Sequence, residues 1–396
     1  MQGREVFIVS AARTAVGSFL GMYKDTPASR LGAVAIKGAV ERAKVDPAAV
    51  EEVYMGCVLT GGMGQAPARQ ACLYAGLGKH TPCTTVGKVC GSGLQAVILG
   101  SKAVALGDAE VVVAGGMENM TLAPYALPKA RQGYRMGKDK DSVLDLMIHD
   151  GLWDPYGDKH MGLCAELCAA KYGFTREAQD EFAITSYDRA NEAIKTGAFV
   201  REIVPVEVPS KKGPQQLLVD EEPGRGDTAK MRTLKPAFDP KNGTITAGNA
   251  SSINDGGAAV VLASEDAVKR HGLKPIARIV SYGGAAQAPE WFTTAPVPAM
   301  RTALDRAGWK ASDVDVWEIN EAFSVVTMAA LRDLALDHAK VNLRGGAASI
   351  GHPIGASGAR ILVTLLHLLQ DRNAKKGCAS LCIGGGEALA MAVERA

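Results

Sequence analysis

Along the chain, short apolar runs with strand character alternate with longer stretches whose apolar residues recur at helical spacing. Val6-Phe7-Ile8-Val9-Ser10 opens the series. Val111-Val112-Val113-Ala114-Gly115-Gly116 follows a helical stretch that begins at Gly91-Ser92-Gly93, and Ala379-Ser380-Leu381-Cys382-Ile383-Gly384 follows another that begins at Ala356-Ser357-Gly358 and runs to about Gln370. This alternation predicts an α/β protein built on a mainly parallel sheet covered by helices.

The pattern also occurs twice. Arg42 to Gly56 lies over Arg306 to Asn320 without a gap, each reading as a helix end, a polar turn and a strand. The helix and strand from Gly91 to Gly116 match those from Ala356 to Gly384, and Val6–Ser10 matches Ile276–Ser281. Three pairs in the same order predict two similar α/β halves, at 1–118 plus 251–272 and at 273–396. Residues 119–250 have no counterpart. They carry Pro124, Pro128 and Pro155, a charged stretch from Arg131 to Asp145, a helix pair around Glu177–Thr196 and the polar run Ser210–Lys235. A segment of that length in a compact fold reads as an inserted loop domain with a function.

Length and composition narrow the class. A chain of 396 residues with 47% hydrophobic and 22% charged residues exceeds one ordinary core. A formal charge of +2 supplies no basic field for nucleic acid, so an anionic ligand must be held locally. No apolar stretch approaches the roughly 18 residues that span a bilayer, and because the N-terminus runs straight into the strand-like Val6-Phe7-Ile8-Val9, neither a signal peptide nor an Arg-rich presequence is expected. The eight cysteines lack the spacing of a secreted scaffold, and a reduced, cytoplasmic protein is expected.

Cys90 stands between Val89 and Gly91-Ser92-Gly93 at a helix start, where backbone N–H groups favour a thiolate. Its bland alternative is a small buried hydrophobe. The same glycines fit G-x-G-x-x-A, the fingerprint of a dinucleotide-dependent oxidoreductase, but Gly87 and Lys88 interrupt the strand that should precede it. His352 lies between glycines in Gly351-His352-Pro353, a setting that suits a residue facing a ligand. Asn320 ends a strand, where a doubly wound sheet places active residues, although a helix N-cap explains it as well. Cys382 precedes Gly384-Gly385-Gly386, a run that lets a ligand approach the backbone. Cys164 with Cys168, and Cys378 with Cys382, form no closed four-ligand zinc set.

These motifs together resemble the thiolases over essentially the whole chain. Val89-Cys90-Gly91-Ser92-Gly93 is similar to the family's nucleophile segment and Asn320-Glu321-Ala322-Phe323 to its N-E-A-F motif. Gly351-His352-Pro353 resembles its G-H-P motif and Cys382-Ile383-Gly384-Gly385-Gly386 its C-x-G-G-G. The resemblance implies a five-layered α-β-α-β-α sandwich of two duplicated halves, with the inserted loop domain receiving coenzyme A. It implies reversible Claisen condensation of acetyl-CoA to acetoacetyl-CoA and CoA through an acyl-Cys90 intermediate. His352 would accept the proton of Cys90, and Cys382 would move the α-proton of the second thioester. His352 and a water held by Asn320 would face the enolate oxygen, and the N–H groups of Cys90 and Gly384 the tetrahedral intermediate.

His160-Met161-Gly162 resembles the short-chain acetoacetyl-CoA thiolases, with Leu152, Phe292 and Phe323 as apolar walls. A broad-chain 3-ketoacyl-CoA thiolase is the alternative. Thr246-Ala247-Gly248-Asn249-Ala250-Ser251 resembles the pantetheine loop, with Ala247 and Ser251 at the ligand, and Arg225, Asp227 and Lys230 fall where relatives hold the nucleotide end. Tyr187, Ala247, Ala250 and Ala348 resemble a family potassium site, from which Gly248 and Ala348 depart. No other cofactor is implied, and a homotetramer is expected. A decarboxylating ketoacyl synthase would carry histidine or asparagine in place of Cys382, and a catalytically silent lipid-binding relative would lack one of the four catalytic residues.

Overall fold

The computed structural model describes residues 3–136, 143–211 and 213–396, so part of the charged stretch, 137–142, lies outside the described residues. Nine strands matter here: β1 (Val6–Arg13), β2 (Glu52–Gly56), β3 (Cys83–Val86), β4 (Val111–Asn119), β5 (Asn254–Ser264), β6 (Ala277–Ala286), β7 (Val316–Ile319), β8 (Lys376–Ile383) and β9 (Glu387–Arg395). They run in the order β7-β8-β9-β6-β1-β5-β4-β2-β3. The first half contributes β2-β4-β5-β1 and the second β7-β8-β9-β6, the same order with the same strand directions. The halves meet where β1 pairs antiparallel with β6, Phe7 opposite Arg278 and Ile8 opposite Ala277.

The repeat extends to irregularities. Both β1 and β6 bulge, between Ile8 and Ser10 and between Ile279 and Ser281. Just past each bulge a buried serine donates to an outer-helix carbonyl, Ser10 to Ala39 and Ser281 to Ala303. The expected mainly parallel sheet is corrected. β2–β4, β2–β3 and β7–β8 are parallel, whereas β1, β5, β6 and β9 pair antiparallel throughout. Pattern alone does not give strand direction, because a strand buried on both faces reads the same in either.

Helices α1 (Ala28–Ala43), α2 (Ser92–Leu106), α3 (Met161–Tyr172), α4 (Arg176–Lys195), α5 (Pro296–Ala307), α6 (Ser324–Asp333) and α7 (Ile354–Asp371) complete the frame. Alternate residues of β4 face different cores. Val112 and Ala114 join α2 and α7 in the central core, whereas Val111 and Val113 pack with Ile36 and Val40 of α1. On the other side Ala388 and Ala390 of β9 meet Met300 and Leu304 of α5. The layers are therefore α1, first-half strands, α2 with α7, second-half strands, and α5. In the middle segment α4 is one continuous helix of 20 residues, correcting the helix pair expected around Glu177–Thr196.

The middle layer explains a second departure. The segment Val89–Leu106 is long and apolar enough to cross a membrane by length and composition, contrary to the expectation that no stretch approaches it. It is apolar because α2 lies between the strands of the two halves. α7 is more enclosed still, with every residue from Ile354 to Leu369 buried.

The two central helices approach through equivalent glycines. A Cβ on Gly93 would lie 2.9 Å from the Ala359 nitrogen, and one on Gly358 would lie 2.5 Å from the Leu94 nitrogen. Gly358→Ala gains about 1 kcal/mol of helix propensity but drives a methyl into backbone, an overpacking cost of about 1–3 kcal/mol or more. The expected outcome is a lower thermal midpoint and lost activity, because the helices that follow Cys90 and His352 are forced apart. Gly87→Ala, whose Cβ would meet nothing within 4 Å, should leave the midpoint unchanged in the same calorimetric scan.

Candidate active site

Both central helices begin at the same cavity, which encloses about 680 Å³, a size that holds a small-molecule ligand. Cys90, Gly384, His352, Leu152, His160, Met161, Arg225, Ala247, Ala250, Ser251, Phe292 and Phe323 line it. Residues hundreds of positions apart are brought together because each sits at an element boundary facing one layer.

Cys90 stands one residue before Gly91, the N-cap of α2, and after Val89, whose φ of 44° is left-handed. A β-branched residue seldom adopts that conformation. The N–H groups of Gly384 and of Cys90 itself reach the sulfur and lower its pKa, but burial outweighs them and raises it to about 11. Glu118 adds a further, smaller upward push. This corrects the expectation of a thiolate: at rest Cys90 is a thiol. The two N–H groups nonetheless converge where an oxyanion would form.

His352 follows Gly351, whose φ of 108° favours glycine and whose Cβ would collide with the Asn254 amide at 2.4 Å. Asn254 in turn accepts the His352 backbone N–H at 2.8 Å. Burial, then the charge of Arg360, lowers the pKa of His352 to about 3, so the ring is neutral. Its Nδ1 lies 2.6 Å from Ser357 Oγ, and the Ser357 hydroxyl is directed to the Pro353 carbonyl at 2.9 Å. With that hydroxyl proton engaged, Nδ1–H is assigned as the donor to Ser357 and Nε2 carries the free lone pair.

Asn320 and Cys382 lie behind the lining, both fully buried. Asn320 Nδ2 is 3.5 Å from each ring nitrogen of His352, and its Oδ1 has no hydrogen-bond partner among the described residues. Cys382, near the end of β8, packs with Met161, Phe292 and Phe323. Burial holds its pKa well above the usual thiol value, and the nearby Cys90 sulfur adds to the rise.

The insertion and the second half together wall the cavity with rings. His160 stacks on Phe238 at 4.6 Å, and Phe238 and Phe292 meet Phe323 edge-on at 6.1 and 6.3 Å. His160 Nδ1 also accepts the Gly162 N–H at 3.1 Å, which fixes its ring at the start of α3. The Ala247–Ser251 loop is tied to the N-E-A-F segment by the Ser251 N–H on the Ala322 carbonyl. Glu321 of that segment is structural: it accepts from Ser186 Oγ, Asn342 Nδ2 and the Ala348 N–H.

Some sequence candidates are not brought to the lining. Asp227 and Lys230 pair with each other at 2.9 Å on the surface, and Asp227 caps a short helix. Tyr187 packs with Ala183 and Met231, and Ala348 is buried beside Glu321. Sequence reading missed Phe238, Met120, Ile354, Glu222 and Ser357. Phe238 is a lone aromatic just past a polar run and carries no periodic signal. The glycines of the G-x-G-x-x-A pattern are taken up by packing, Gly91 against Ile383 and Gly93 against α7.

Comparison with known proteins gives the same grouping. The thiolase N-terminal domain model matches residues 6–266 and the thiolase C-terminal domain model residues 273–395. The chain is 56% identical over 393 residues to a protein of Cupriavidus necator named acetyl-CoA acetyltransferase, covering 99% of each chain. It is 52% identical to acetyl-CoA acetyltransferase 2 of Arabidopsis thaliana, over 99% of this chain and 97% of that one. A Pseudomonas aeruginosa protein named acetyl-CoA acetyltransferase is also 52% identical, over 99% of this chain and all of its own. Matched from end to end by both domain models, the chain belongs to the thiolase family.

Proposed function

We infer that this protein is an acetyl-CoA acetyltransferase, condensing two acetyl-CoA to acetoacetyl-CoA and CoA and catalysing the reverse thiolysis. The observation that carries this reading is a partly exposed thiol under two converging N–H groups, lining one cavity with a neutral histidine whose free nitrogen can take its proton. The relatives' printed names agree with it.

In the first half-reaction Cys90 Sγ bonds to the acetyl carbon, His352 Nε2 accepts the thiol proton, and the N–H groups of Cys90 and Gly384 stabilise the oxyanion. The carbon–sulfur bond to CoA breaks, and the proton passes to the CoA thiolate. In the second, Cys382 passes its thiol proton to His352 Nε2 and, as thiolate, removes the α-proton of another acetyl-CoA, and the enolate oxygen faces the protonated His352 and Asn320. The enolate carbon attacks the acetyl group, and Cys90 departs as thiolate and regains a proton from His352. Electrostatics orders these steps. A negative Cys90 would oppose a negative Cys382, and acetylation leaves Cys90 no proton to lose, so that opposition cannot arise while Cys382 acts as base.

Several features remain this reading's proposals. Apolar surface at Leu73, Tyr74, Leu122, Tyr125 and Leu127 and the edge strand β3 support a homo-oligomer, the tetramer expected above. Eight free thiols support a reducing, cytoplasmic setting. Arg225 at the cavity mouth supports a phosphate contact, whereas the mutual pairing of Asp227 and Lys230 argues for a solvated loop there. The carboxylates near Tyr187 support a potassium ion there: burial, then Glu222 and Glu321, raise its phenol to about 12. Its hydroxyl and the carbonyls of Ala247, Ala250 and Ala348 would hold the ion, which when bound would order the pantetheine loop. A higher thermal midpoint in potassium than in sodium chloride supports this site, and equal midpoints reject it.

Acetyl-CoA should add one acetyl group, mapped by peptide mass to Cys90; label on another cysteine with Cys90 free would sink the assignment. Cys382→Ser should cut solvent exchange of the acetyl-CoA methyl protons by about 10²–10⁴-fold while Cys90 acetylation persists. Equal loss of both steps removes Cys382 as an independent base.

The pH dependence follows from burial. In His352→Ala, alkylation of Cys90 by iodoacetamide should climb about tenfold per unit from pH 7 to 10, because only ionisation of a thiol near 11 supplies thiolate. A plateau below pH 8 would contradict this.

Chain length rests on Met161, which is buried at the cavity and lies near Gly384. An apolar pocket separates one methylene by only about 1–3 kcal/mol, so a steep fall in kcat/KM from acetoacetyl-CoA to 3-ketohexanoyl-CoA requires steric closure. Met161→Ala should flatten it. Equal wild-type efficiency on long-chain 3-ketoacyl-CoAs would make this a broad-chain thiolase instead.

A further inference from the structure

The duplication that relates the two halves superimposes Gly91-Ser92-Gly93 on Ala356-Ser357-Gly358. Ser357 receives the His352 ring at 2.6 Å and is directed to the Pro353 carbonyl at 2.9 Å. Ser92 has the same arrangement at the start of the other central helix. Its Oγ accepts the Lys88 backbone N–H at 2.8 Å and donates to the Val89 carbonyl at 2.7 Å. Both serines are fully buried. Each uses its hydroxyl proton on the turn preceding its helix and its lone pair on the segment that carries the reacting group.

Those bonds in the first half enclose the left-handed Val89. A β-branched residue persists there only where its surroundings over-determine it. The bonds of Ser92 grip both sides of Val89, and the Gly91 N–H on the Lys88 carbonyl at 2.9 Å closes the turn. The Lys88 side chain is also paired with Glu387, three residues beyond Gly384. Relaxing Val89 into an ordinary β conformation would swing the Cys90 sulfur and N–H away from Gly384.

We propose that Ser92 is a positioning residue for Cys90, and that Ser92 and Ser357 are two copies of one device, each aligning the reacting group of its own half. The inference rests on reading Cys90 as the nucleophile and His352 as its proton acceptor. Ser92 touches neither substrate nor the reacting sulfur in this arrangement and acts through the Val89 turn. Three groups bear on the titration of this pair: Glu118 and Cys382 face Cys90, and Arg360 faces His352.

Three variants of the full-length protein test it, with iodoacetamide alkylation of Cys90 and acetylation by acetyl-CoA as separate readouts. Ser92→Ala should lower both rates about 10- to 100-fold with KM for acetyl-CoA nearly unchanged. Ser101→Ala is the control. It removes a hydroxyl equally buried on the same helix, bonded to the Ile98 carbonyl at 2.8 Å, and should leave both rates intact. Ser357→Ala should slow alkylation at pH 7 yet converge on the wild-type rate towards pH 11, where the thiol ionises without a base. Ser92→Ala rates equal to wild type, or equal losses in Ser92→Ala and Ser101→Ala, overturn the proposal, as does a Ser357→Ala deficit constant with pH. Failure of acetyl-CoA to label wild-type Cys90 would instead overturn the functional reading, because alkylation does not depend on it.

Discussion

The backbone contact between α2 and α7 is the constraint on which everything else depends. Two helices between the strands of the two halves must be apolar on all sides, and at their crossing there is no room for side chains. Gly93 and Gly358 meet that demand from equivalent positions. Because Cys90 and His352 immediately precede these helices, the close crossing is also what sets the nucleophile beside its base. Packing density in the core and geometry at the site are thus one requirement.

Burial sets the electrical character of the centre. In the resting protein Cys90 and Cys382 are thiols and His352 is a neutral imidazole. Such a site holds no free charge to lose to water, and each step moves a proton over a short path rather than separating ions. A thiolate is made only when a neighbouring group takes the proton, and the converging N–H groups of Cys90 and Gly384 reward negative charge at the moment it appears. The helix-start argument for a standing thiolate fails here because desolvation of the sulfur exceeds what two N–H groups return.

The unduplicated segment supplies what the two halves lack. Its α3 carries Met161, its loops carry Leu152 and Phe238, and its last residues carry the Ala247–Ser251 loop. Glu321 joins it to the second half through Ser186. A symmetric scaffold thereby gains an asymmetric cavity.

The sequence by itself determined the duplication, the order of strands and helices, and the four motifs that carry the chemistry. These rest on local periodicity and on glycine positions, which survive in one dimension. The match between Arg42–Gly56 and Arg306–Asn320 foretold two half-sheets of like order, and the glycines beside Cys90 and His352 marked turns with close neighbours. Only the tertiary structure decided strand direction, since a doubly buried strand has no face to reveal it. It alone decided that α2 is a core helix rather than a membrane-like one, because enclosure and a bilayer select the same residues. It also decided the protonation of Cys90, the tautomer of His352 and the part played by Ser92, Ser357 and Phe238. Those depend on desolvation and on distances between segments far apart in the chain, which no local pattern encodes.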